Sequence, residues 1–406
     1  MKDLDPVVRR AWWWHRQGLD GRCSGRAPSA VLEQSGWARS VGGVGPYLTL
    51  RARSGAGRAA VDAAVAALDI HELPSARGCT YVIPAADFAL ALRAGRAFAD
   101  SDMATARKLG VTDAEVDALA EAVAGVLGTG ALGPDEIRKA LGGAVRSLGA
   151  AGVKRGVSST LPLALGRLQA SGAIRRLPAN GRLDQQRYRY ARWVPPPLAG
   201  PAVTQAEVHT ELASRFFTWI GPARLSEFQW FSGMGVKAAR AAIAPLALSA
   251  VDAAGEWLLH TDDVDAFRTF RVAREPQFAL VSSLDAITHL RRNVADLIDG
   301  RDSTREAFGE KGATYLGGLS DLPNHAIFDR GRLIGLWEYD PGASSIAWCT
   351  FGVRDKRLEA AVSETEAFVR DELGDARSFS LDSPESRASR IAAIRRAAST
   401  ARASGT

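Results

Sequence analysis

Twice along this chain a Gly-Pro turn opens a short helix, a second helix follows, and two short strands close the unit. In the first instance "GPDEIRKAL" (133–141) leads to "SSTLPLALGRLQASG" (158–172). "AIRRLP" and "RYRYARWV" then flank "ANGRLDQQ" as strands around an Asn-Gly turn. In the second, "GPARLSEFQWFSG" and "GVKAARAAIAPLAL" precede two strands within "LSAVDAAGEWLLH". A vaguer copy runs from "DPVVRRAWWWHRQGLDG" through "PSAVLEQSG" to the strand "GCTYVIP". The repetition predicts an α+β fold of tandem winged-helix units, that is, helix-turn-helix modules with β-hairpin wings. The expected units are 1–128 (with a helical extension), 129–194 and 201–274, the last two joined by the proline-rich "WVPPPLAGPAVT". Residues 275–375 read as a helical run followed by an antiparallel sheet, "NHAIFDRGRLIGLWEYDPGASSIAWCTFG", and a closing helix. The Ser-, Ala- and Arg-rich tail 376–406 reads as a flexible basic segment or a frayed amphipathic helix.

No apolar run approaches the ~18–20 residues of a membrane span, and "MKDLDPVVRR" lacks the apolar stretch of a secretory signal. Cys23, Cys79 and Cys349 are too far apart for a C-x-x-C pair, which suits a reducing cytoplasm. The six histidines show no metal-binding spacing, so neither a metal nor a cofactor is expected. His71-Glu72 reads as a surface or hinge pair, and Asp285 with His289 as a structural pair on one helix. "SVGGVGP" is no phosphate loop, because no Gly-Lys-Ser/Thr follows.

Lys and Arg number 51 against 45 acids, and few of the 51 are lysine. Guanidinium forks suit phosphates and base edges, so the placement of the arginines decides what they do. Lys154 and Arg155 precede a helix that begins Ser158, Ser159, Thr160, and a helix N-terminus with hydroxyls and cations attracts phosphate. Leu161, Leu165 and Leu168 form that helix's buried face. The following hairpin carries Arg182, Gln185, Gln186, Arg187 and Arg189, a composition that suits contact with a DNA groove more than a solvated wing. Lys237 and Arg240 repeat the pattern on the second helix of the next unit. Phe228, Trp230 and Phe231 have the spacing of core aromatics.

The order of "ELPSARGCTYVIP", "STLPLALGRLQASGAIRR", "GPARLSEFQWFSGM", "ALVSSLDAITHLRR" and "HAIFDRGRLIGLWEYD" resembles the AlkZ-type (YcaQ-type) bacterial DNA glycosylases. That resemblance implies a C-shaped set of three winged helices around double-stranded DNA; a monomer is the expected state. It also implies metal-free excision of alkylated or crosslinked bases, in which a Gln-x-Gln or Gln-x-Asp motif positions a water or steadies an oxocarbenium. An ungapped placement of the motif falls on Trp37 and Arg39, neither of which accepts a hydrogen bond from water. A shifted placement falls on Glu33 and Gln34, the candidate catalytic pair, although adjacent helical residues point about 100° apart.

Overall fold

The computed structural model describes residues 4–99, 101–309 and 312–403. Helices and small antiparallel sheets alternate along the chain. The centre is a four-stranded sheet of Phe278–Val281, His325–Asp329, Arg332–Asp340 and Ser345–Thr350, with Ser345–Thr350 and Phe278–Val281 at its edges. Successive strand residues point to opposite faces, and both faces are apolar here. Ile327, Ile334 and Trp337 join Tyr47, Leu48 and Leu50 of the helix Gly45–Ser54 in one core. Phe328, Leu333 and Leu336 face the other way and join Trp13 of the helix Pro6–Arg16 and Ile391 and Ile394 of the helix Pro384–Ala403 in a second.

Two expectations fail at this sheet. The strand Phe278–Val281 lies where a helical run was read; its short apolar stretch carries no period that separates strand from helix. Of the two readings of the tail, the helix forms over Pro384–Ala403 and is docked rather than flexible, while 404–406 lie outside the described residues. The buried guanidiniums of Arg387 and Arg390 tie it down: Arg387 pairs with Asp375 (2.8 Å), and Arg390 with Asp382 (2.8 Å) and Glu338 (3.2 Å).

The first helix begins with Asp5 capping the Val7 N–H and Pro6 at its first position. Trp12, Trp13 and Trp14 span more than one face, yet all three are buried, because the helix is wedged between two lobes. Their indole N–H groups donate to the Gly221 carbonyl, the Pro222 carbonyl and Gln277 Oε1.

The N-terminal lobe carries a three-stranded sheet in the order Ala38–Arg39, Thr80–Pro84, Ile70–Pro74. His71 and Glu72 sit on the last of these strands and are both buried, which corrects their reading as a surface or hinge pair. Glu72 accepts from Ser40 Oγ (2.5 Å) and pairs with Arg176 (3.1 Å) across the interface with the next unit. His71 lies edge-on to Phe88 and Trp193, with both ring nitrogens lacking a hydrogen-bond partner. Burial, assisted by the charges of Arg176 and Arg175, pushes its pKa down to about 3. The unfolded chain therefore takes up a proton near pH 6.5 that the folded chain refuses. Stability present above pH 6.5 is lost on acidification at up to ~1.4 kcal/mol per pH unit. His71→Phe is expected to flatten the acid limb between pH 6.5 and 4 in denaturant titrations; identical limbs would refute this.

The next two units have the expected element order. Helices Pro134–Leu141 and Leu161–Ala170 precede the hairpin Ile174–Pro178/Tyr188–Arg192. The core that takes Leu161, Leu165 and Leu168 also takes Val116, Leu119 and Val123 of the helix Asp113–Val126. Helices Gln205–Ile220, Leu225–Ser232 and Val236–Ile243 precede the short hairpin Leu248–Ala250/Leu258–His260.

Candidate functional site

Glu33 and Gln34 occupy the last turn of the helix Pro28–Ser35 and do not converge. Glu33 is exposed, and its main-chain carbonyl accepts the Trp219 indole N–H (3.0 Å). Gln34 Oε1 already accepts from Arg26 Nη1 (2.5 Å) and lies 3.5 Å from Cys23 Sγ. The two side chains thus have different surroundings, Glu33 open to solvent and Gln34 tied to Arg26.

Arg39 pairs with Tyr81 at the sheet edge, and alternation puts Trp37 and Arg39 on one face. Both meet Tyr81: the Trp37 ring at 6.0 Å and the Arg39 guanidinium at 5.4 Å. Trp37 is 2% exposed, enclosed by Trp219 and Phe231, and its indole N–H donates to Asp87 Oδ2 (2.9 Å). Arg39 is half-buried and donates to the Thr80 carbonyl (3.2 Å). A sealed indole and a guanidinium thus stand where the ungapped placement puts two acceptors. The glycines that follow are scaffold: a Cβ at Gly43 would lie 2.3 Å from the Ser378 carbonyl oxygen, where the strap 377–380 crosses. Val44 N–H donates to the Arg377 carbonyl, and Ser380 N–H to the Val41 carbonyl.

Beside Arg39 lies a cluster assembled from separate segments. Arg77, in the tight turn between two strands, and Arg292, just past the helix Ala286–His289, both lie over the Trp230 ring, at 4.2 and 4.8 Å. His289 meets the same ring edge-on at 4.8 Å. Asp321 pairs with Arg292 (2.9 Å) and sits 3.6 Å from His289 Nδ1. Neither His289 nitrogen has a hydrogen-bond partner. Burial lowers the His289 pKa; Asp321 opposes this, and the charges of Arg39 and Arg77 add to it. His289 is therefore neutral at pH 7. A cleft of about 390 Å³, lined by Arg224, Trp230, Arg292, Asn293 and Ser320 among others, adjoins the cluster.

The sequence pointed elsewhere for these residues. Asp285 is not the partner of His289. Its carboxylate takes two hydrogen bonds from Arg53 (2.8 Å each), one from Thr49 (2.9 Å), and caps Ile287. Trp230 had the spacing of a core aromatic, and "SARGC" gives no sign that Arg77 reaches it. The convergence comes from tertiary packing, which local patterning does not encode.

The sequence-derived DNA contacts divide into two groups. Lys154, Arg155, Ser158, Gln186, Arg187, Lys237 and Arg240 are exposed. The other residues are committed to packing. Ser159 and Thr160 are buried, and Thr160 Oγ1 accepts from the Arg146 N–H (3.0 Å), so the hydroxyl-rich helix tip is only partly open. The wing tip is docked rather than free. Leu183 is buried with its N–H on Tyr47 Oη (3.0 Å), and Arg182 grips Asp184 and the Leu373 carbonyl (2.9 Å each). Half-buried Gln185 follows, and Gln186 lies so close to Gly42 that a Cβ there would come within 2.6 Å of its Cγ. Arg189 donates to the Ala131 carbonyl (2.5 Å) and pairs with Glu136 (3.1 Å). Leu183 and Asp184 anchor the loop, while Ala179, Asn180, Gly181, Gln186 and Arg187 remain exposed.

Among the described residues no group of three or more His, Cys, Asp or Glu is placed to hold a metal, and no helix is long and apolar enough to cross a membrane. No curated protein matches the chain in sequence. In fold it is similar to the Streptomyces sahachiroi DNA glycosylase AlkZ, with a TM-score of 0.67 over 93% of this chain and 99% of that one at 19% identity. The family model for DNA glycosylase AlkZ-like proteins matches residues 43–391, a span that begins just after Trp37 and Arg39. On that match over most of its length, the chain belongs to the AlkZ-like DNA glycosylase family.

Proposed function

We propose that this protein binds damaged duplex DNA as a glycosylase-like, tandem winged-helix monomer of the cytoplasm, and that it does not hydrolyse N-glycosidic bonds by the paired-amide route. Family membership supports the DNA substrate. The observation that carries the second half is the pairing of a sealed Trp37 with a cationic Arg39 on one strand face. Glycosidic hydrolysis needs an acceptor for the water proton and negative charge near a developing oxocarbenium. An indole N–H already given to Asp87 and a guanidinium supply neither. The exposed cations Lys154, Arg155, Arg187, Lys237 and Arg240 supply the phosphate contacts. A second reading, metal-free excision of cationic alkylated bases, is favoured by the family itself, since such bases are already good leaving groups.

Duplex binding measured from 50 to 200 mM salt tests the DNA half. With several phosphates neutralised, log K falls linearly with log salt, with a slope of about −0.9 per phosphate. A flat response would remove both readings and leave a protein-binding scaffold.

A further inference from the structure

The cluster around Trp230 has the makings of an anion site, and its chemistry differs from that of the motif it adjoins. Several partly buried arginines meet carboxylates: Arg9 and Arg224 meet Asp296, Arg10 meets Asp299, Arg176 meets Glu72. Among the described residues half-buried Arg51, Arg175 and Arg377 do not, and Arg77 is exposed. Arg39 and Arg77 form no ion pair among the described residues. Arg39 lies over the Tyr81 ring and Arg77 over Trp230, and the charges of both act on the His289 ring. Arg292 joins Arg77 over Trp230 and pairs with Asp321, and the buried carboxyl of Glu227 lines the adjoining cleft. His289 is neutral and 11% exposed on its side chain, and it has no hydrogen bond of its own to lose.

The backbone adds a second observation. Arg77 (φ 57°) and Arg292 (φ 50°) both stand in the left-handed region. That conformation is costly for a non-glycine residue, and strain of this kind collects at functional sites. Glycine at either position would relieve it, yet each position carries an arginine aimed at the same indole. At the neighbouring Gly233 (φ 75°) a Cβ would come within 3.2 Å of Arg77 Cγ and 2.8 Å of Phe98. The helix end is thus shaped around the Arg77 stem.

We propose that Arg77 and Arg292, held over the Trp230 ring, together with Arg39 over Tyr81 and the His289 ring, grip a phosphodiester of bound DNA beside the cleft. The proposal rests on the DNA-binding reading above. Two guanidiniums already lie over Trp230, which leaves little of its ring for a stacked base, so the indole acts as a cation support. The resulting contact is to backbone and is independent of sequence. Arg39, at the position where the family resemblance implies a water-positioning residue, becomes an anchor for the strand.

The test compares the full-length protein with Arg77→Gln and the double variant Arg39→Gln/Arg77→Gln on one duplex over a salt series. Thermal melting of each variant serves as the folding control, and Arg77→Lys is included because it retains the charge. Each Gln substitution is expected to lower the salt slope by about one, with melting unchanged and the slope kept in Arg77→Lys. Wild-type slopes in both Gln variants, with steep wild-type binding, would overturn the site and leave the DNA reading standing. A flat wild-type response would overturn the DNA reading itself. Inorganic phosphate bound as tightly as duplex, and lost with Arg77→Gln, would reassign the site to a small phosphate ligand.

Discussion

A chain ending at Ser383 is expected to lose its cooperative unfolding transition, or to melt at least ~10 °C lower, when followed by circular dichroism. The removed helix buries Ile391 and Ile394 against the central sheet, each worth ~1.5–3 kcal/mol. Its loss also strands Asp382 and Glu338, two buried carboxylates whose cationic partners are Arg387 and Arg390. An uncompensated buried charge is costly in its own right. A truncated protein with an unchanged melting curve would show that the segment is the loose appendage its composition suggests.

Asp285→Ala is expected to cost ~3–5 kcal/mol in denaturant titrations, the range for breaking a buried ion pair. Arg53 and Asp285 are both 0% exposed on their side chains and form a two-pronged pair between the helix Gly45–Ser54 and the segment after Phe278–Val281. Arg53 also donates to the Gln17 carbonyl and to Gln17 Oε1, which ties in the turn after the first helix. Without the carboxylate, the guanidinium is left buried beside neutral oxygens. Double removal, Arg53→Met with Asp285→Ala, is expected to cost less than the single change, because no charge remains unpaired. A loss below ~1 kcal/mol for Asp285→Ala would contradict the assignment.

The local signals in the sequence carried the units and missed their assembly. Gly-Pro turns, Asn-Gly at 180–181 and the Leu161, Leu165, Leu168 stripe depend on neighbouring residues, and they identify the helices and hairpins. The wing arginines looked free for DNA because their partners, Asp184 excepted, lie far away in sequence: Glu72 for Arg176, the Leu373 carbonyl for Arg182, Glu136 for Arg189. The tail misled for the same reason, since only folding brings Glu338 to Arg390. The Trp230 cluster takes residues from 39, 77, 230, 289, 292 and 321, a spread that no periodicity or motif spacing can reveal. The family resemblance, in its ungapped placement, points at Trp37 and Arg39. What the structure adds is that the indole is locked in by Asp87, Trp219 and Phe231.

The most direct measurement incubates the protein with duplexes carrying N3- or N7-alkylated purines and scores two readouts in one reaction, the bound fraction and abasic sites revealed by alkaline cleavage. Bound duplex with abasic sites no more frequent than in protein-free controls is the predicted result. Abasic sites that accumulate with protein concentration, and persist after metal chelation, would contradict it, since bases would then be excised without the acceptors that Trp37 and Arg39 displace.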